Sequence, residues 1–90
     1  MNQKRKPDHT IVGVHITDRL QHALDVQQVL TQHGAIIKTR LGLHEVAEGC
    51  SSPEGVLLLE TVGGAREIQS LVRDLTKIKG IEVQKIVFKH

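Results

Sequence analysis

The chain has 90 residues, 39% of them hydrophobic, yet one Phe and no Trp or Tyr, and its formal charge is +2. A chain this short fits one domain and buries only about 60 to 65% of its unfolded surface, so its core must come from Val, Leu, Ile and Ala packed between a sheet and helices, which disfavours an aromatic-rich β-barrel. The excess charge sits at the start, where Lys4, Arg5, Lys6 and Asp8 leave nine basic against nine acidic side chains from Thr10 onward, and that balance argues against the basic face with which nucleic-acid binders neutralise phosphates.

Residues 1–9 read as a basic, solubilising arm and residues 10–90 as a single domain. "TIVGVHI" (Thr10 to Ile16) is short and β-branched, with Val12, Val14 and Ile16 on one side and Ile11, Gly13 and His15 on the other, and predicts a first strand. Thr17 or Asp18 can cap the helix that follows. That helix carries Leu20, Ala23, Leu24, Val26 and Leu30 on a broad apolar side and stops at His33-Gly34. "AIIKTRLGLH" (Ala35 to His44) alternates as a second strand, and its set Ile37, Thr39, Leu41 and Leu43 is expected to face the core. "EVAEGCSSPE" (Glu45 to Glu54) shows no period and reads as a loop, long for a hairpin. "GVLLLETV" (Gly55 to Val62) is apolar on both sides, as a strand covered on both faces would be. Ala65, Ile68, Leu71, Val72, Leu75 and Ile78 then recur three and four apart and predict a second helix, ended by Gly80 before a last strand at "IEVQKIVF" (Ile81 to Phe88).

The order is β-α-β-β-α-β, which predicts an α+β, ferredoxin-like sandwich: a four-stranded antiparallel sheet with both helices on one face. The other face is left open. There Ile11, Gly13 and His15 would lie beside a leucine-rich row of the third strand, and the expected cover is a second copy of the chain, as a dimer or tetramer. A lone cysteine excludes an internal disulfide, and neither a signal-peptide segment nor an apolar run of membrane-spanning length stands out. The expectation is a soluble cytoplasmic protein without a membrane role, and direct nucleic-acid binding is not expected.

The "IIKTRLGLHE" strand, with Arg40-Leu41-Gly42, and the half "GVLLLETVGGAREIQSLVRDLTKIKGIEVQKIVF", with Ile78-Lys79-Gly80-Ile81, resemble the small bacterial iron-only hydrogenase system regulators. These belong to an ACT-like group that also includes the C-terminal domain of the nickel-responsive regulator NikR. The resemblance implies an oligomeric regulatory or sensory domain with no catalytic activity, whose small-molecule effector binds near a subunit interface. It points to Asp18, Arg19 and Arg40 as ligand-binding residues. Where amino-acid-binding relatives read Asp-Arg-Pro-Gly, this chain reads Asp18-Arg19-Leu20-Gln21, so only the first half of that motif is present. The turn still offers helix N–H groups to an anion such as a carboxylate; the simpler reading makes Asp18 an N-cap and Arg19 a solvated side chain.

The resemblance to NikR also singles out His44 and Cys50, which keep its His-x5-Cys spacing as candidate ligands for a transition metal such as Ni or Zn. The histidine expected two residues before His44 is replaced by Gly42, and strand alignment puts Gly55 at the cysteine position. Two ligands do not complete a site, although His33 or His15 of another subunit could add to them; a plain polar loop is the competing reading, with no cofactor. Other activities of this fold lack their residues. Acylphosphatase chemistry needs a positioned Asn, and Asn2 in the arm is the sole one. Metallochaperones need Cys-x-x-Cys, and RNA-binding sheets need aromatics on strands one and three. Glu45, Glu48 and Glu54 sit on one loop and show no acid/base pair. A structural interaction module without effector is the remaining alternative.

Overall fold

In the computed structural model residues 8–17, 19–43, 46–47, 50–51 and 55–89 are described, with 19–21, 43, 46–47 and 50–51 described by their backbone alone. Along them run β1 (His9–Ile16), α1 (Arg19–Gln32), a 3-10 turn (Gly34–Ile36), β2 (Ile37–Leu43), β3 (Val46–Ala47), β4 (Cys50–Ser51), β5 (Gly55–Thr61), α2 (Ala65–Thr76) and β6 (Ile81–Phe88). The order β2-β5-β1-β6 makes a four-stranded antiparallel sheet. This is the ferredoxin-like sandwich expected from the element order. β1 begins at His9, so that residue belongs to the sheet and not to the arm; residues 1–7 of the arm lie outside the described residues.

The core lies between one sheet face and the two helices. Val12, Val14 and Ile16 of β1 and Leu59 of β5 meet Val26 and Leu30 of α1 and Ile68, Leu71 and Leu75 of α2. Alternation in β1 puts every second residue from Thr10 to Ile16 inside, as a sheet covered on one face requires. Thr61 is buried too, and its hydroxyl donates to the Thr10 carbonyl at 2.8 Å, which offsets the cost of burying it. α2 owes its position to its apolar stripe and its start to Glu67, whose carboxylate accepts the Gly64 N–H at 2.8 Å. After α2 the chain turns at Gly80, whose φ of +84° suits glycine. The Gly80 carbonyl accepts both the backbone N–H and the hydroxyl of Thr17, at 3.1 and 2.9 Å.

Three expectations are corrected. In β2 the pairing shifts between Ile37, opposite Thr61, and Thr39, opposite Glu60. This bulge at Lys38 turns the strand over: Ile37 packs on the core, but Thr39 and Leu41 share the open face with Glu60 and Leu58, and Leu41 is 54% exposed. In α1, Val26 and Leu30 are buried while Leu24 is 84% exposed, so the apolar side is narrower than predicted. The segment read as a loop carries a small antiparallel ladder, with Val46 opposite Ser51 and Ala47 opposite Cys50.

Candidate functional site

Two surfaces carry the candidate residues. The first is the open sheet face. Register lays out its rows: Leu41, Leu58, Gly13 and Gln84 run across β2, β5, β1 and β6, with Thr39, Glu60, Ile11 and Ile86 beside them. Val56, His15 and Glu82 form the next row across β5, β1 and β6. A solvated face would be polar at these positions. Here Leu41, Val56, Ile86 and Phe88 are exposed, Ile86 at 55% and Phe88 at 52%.

The polar groups on this face are mutually engaged. His9 Nε2 stands 3.0 Å from Glu60 Oε2. The hydrogen bond from Thr39, and then that from His9, holds the Glu60 carboxyl below the usual carboxylate range. The His9 ring also lies tilted against Phe88, with centroids 6.3 Å apart. Over Gly13 the face dips into a depression of about 180 Å³, walled by His15, Val56, Glu82 and Gln84.

The second surface lies where α1 ends and β2 begins. A depression of about 250 Å³ is lined by Leu30, Gly34, Ile37, Lys38, Thr39 and Arg40. It pairs two cations with an aliphatic floor, a combination suited to a small anion carrying an apolar body. Arg40 donates to Gln27 Oε1 of α1 at 3.1 Å, which props the guanidinium against the helix. Lys38 is brought here by the bulge, a signal the strand alternation did not carry.

The other candidate residues are placed as follows. Asp18 lies outside the described residues, and Arg19 is the first residue of α1, described by its backbone. Gln27, the partner of Arg40, is eight residues further along that helix, about 12 Å of rise from the Arg19 backbone. His44 lies outside the described residues; Cys50 belongs to β4, its side chain undescribed. Among the described residues no three His, Cys, Asp or Glu side chains gather as a metal site. His33 is engaged elsewhere: its Nε2 lies 2.8 Å from Asp74 Oδ2 on α2. No helix of the described residues is long and apolar enough to cross a membrane.

No protein-family model matches the chain, and no curated protein matches it. Among solved structures it is similar to TM1266, an uncharacterised protein from Thermotoga maritima, at 22% identity and a TM-score of 0.77 over 90% of this chain and 96% of that one. It is also similar to CPII, a nitrogen regulatory PII-like protein from Thiomonas intermedia K12 solved with ADP, AMP and bicarbonate bound, at 11% identity and a TM-score of 0.52 over 92% of this chain and 94% of that one. The apo form of CPII gives 10% identity and a TM-score of 0.54. At these identities the likeness is one of fold.

Proposed function

We propose that the protein is a small regulatory module of the ACT-like kind, which self-associates through its open sheet face and takes an anionic small-molecule effector in the depression where α1 ends and β2 begins. The observation that carries this reading is the apolar open face: Leu41, Val56, Ile86 and Phe88 are exposed on the side of the sheet that no helix of the described residues covers. Grouped exposure of that kind marks an interaction surface. The depression with Lys38 and Arg40 supports the anion, as does the fold shared with CPII, whose bound ADP, AMP and bicarbonate are all anions. The resemblance of Arg40-Leu41-Gly42 and Ile78-Lys79-Gly80-Ile81 to the iron-only hydrogenase system regulators supports the regulatory role, which involves no catalysis.

An effector that binds one state of the protein more tightly than another would shift the population toward that state. Native mass spectrometry with added AMP, ADP or bicarbonate tests the reading. The expected result is an oligomer that retains one of these anions, and an Arg40→Ala variant that stays oligomeric while losing the bound mass. A monomer at tens of micromolar would overturn the assembly, and an oligomer that ignores all three anions would overturn the effector class.

A further inference from the structure

Gly13 occupies the middle of the central strand β1. Glycine weakens a strand interior, and where it occurs it often marks a bulge or the close approach of something else. Neither the backbone nor the packing of the single chain requires it. Its φ is not positive, its pairing with Leu58 and Gln84 is regular, and a Cβ built on it would meet its nearest atoms at 3.8 Å, an ordinary contact. What the missing side chain does create is the depression of about 180 Å³ in the open face. That volume is below the roughly 300 Å³ at which small-molecule pockets begin, and suits one inserted aliphatic side chain.

The row through Gly13 supplies such a side chain. It reads Leu41, Leu58, Gly13, Gln84 across the sheet. Two copies stacked face to face about a twofold axis lying in the sheet plane have two simple arrangements. An axis running across the strands sets β5 on β5 of the second copy, so leucine meets leucine and the two depressions face each other as a void. An axis running along the strands sets β5 on β1 of the second copy, so each Leu58 lies over a Gly13. Protein interiors tolerate few voids, and the second arrangement fills both depressions. Sheets that pack face to face cross at about 30°, which keeps the central strands in register near the axis while the edges diverge.

The charge and size of the face fit a second copy. Among its described strand residues the acidic side chains are Glu60, engaged by Thr39 and His9 with the Lys38 charge nearby, and Glu82 at the rim strand; the Lys38 charge is met within the chain by Glu60. Four strands about 4.8 Å apart and seven residues of about 3.3 Å give a planar face of roughly 440 Å² before side-chain relief, about half of the roughly 800 Å² per partner of a standard interface, as a small dimer of short strands would bury.

From this geometry we propose that Gly13 is the socket of the open-face interface, receiving Leu58 of a second copy while Leu58 fills the socket opposite. The proposal rests on the open-face self-association described above. Sedimentation velocity on Gly13→Leu, Leu58→Ala and the double variant tests it, with thermal melts to confirm folding. Filling the socket should raise the self-association Kd by at least about tenfold. The double variant, with socket filled and knob shortened, should associate more tightly than Gly13→Leu alone. Should Gly13→Leu not fold, Gly13→Ala, whose Cβ the single chain accommodates, should weaken association in the same direction. An assembly broken by Ile86→Asp but untouched by filling the socket, or a double variant no tighter than Gly13→Leu, would overturn the socket alone. A monomeric wild type, or an oligomer indifferent to Ile86→Asp, would overturn the open-face reading and the socket with it.

Discussion

His33, just beyond the end of α1, lies 2.8 Å from Asp74 of α2 and ties the two helices of the covering layer together. The bond from His33, followed by the nearby positive charges, holds the Asp74 carboxyl below its usual range. A carboxylate whose folded pKa lies below its unfolded value of about 3.9 contributes stability above that value and loses it as the pH falls through the folded pKa.

Asp74→Asn should therefore lower the melting temperature at neutral pH, and the gap from wild type should shrink as the pH falls below about 4. Thermal melts from pH 7 to pH 2.5 check this. A gap that persists unchanged at the acid end would assign the loss to something other than the ionised carboxyl.

Leu71 is fully buried at the centre of the α2 stripe. Leu71→Asp should cost on the order of 4 kcal/mol or more, combining a lost aliphatic contact with a buried carboxyl. The melting temperature should fall by at least about 15 °C. An unchanged melt would mean that α2 does not cover the sheet.

Gly80 combines a φ of +84° with a built Cβ 2.9 Å from Thr17 Oγ1 and from His22 Nε2. Gly80→Ala should cost at least roughly 1–2 kcal/mol from the left-handed backbone alone, measured by urea unfolding. Gly34, with nothing within 4 Å of its Cβ position, is the matched control, where Ala should be near neutral or stabilising.

Leu41→Asp and Ile86→Asp place charge on exposed positions of the open face. Monomer stability should change by no more than about 0.5 kcal/mol, while self-association falls sharply. Light scattering across a dilution series separates the two effects.

Much of this architecture can be read from local pattern. α2 was legible because its apolar residues recur at helical spacing and Leu71 and Leu75 are in fact buried, and β1 because alternation survives its full length. β2 misled for a physical reason. A period-two pattern assumes an unbroken pleat, and one extra residue at Lys38 inverts every position after it. In α1 the stripe is weak, so the exposed Leu24 could not be told from Val26 without knowing how the helix sits. The bonds from His33 to Asp74 and from His9 to Glu60 join residues far apart in sequence, and only the strand and helix packing brings them together. Arg40 was legible as a candidate through its motif; its partnership with Lys38 was not, because the bulge creates it.

β1 lies between β5 and β6, with Ile11 opposite Glu60 on one side and His9 opposite Phe88 on the other. A nascent chain emerging from its amino end therefore makes its innermost strand first and both flanking strands last. Until Phe88 has been synthesised, β1 lacks one whole edge of its hydrogen bonds, and the aliphatic groups it will bury have no complete sheet behind them. Such non-local pairing delays folding, because long loops must close before any contact rewards it. The sheet is therefore complete only after the last strand is made, so in a cell the most vulnerable period is the interval between making the strand at the centre and making the strand at the rim.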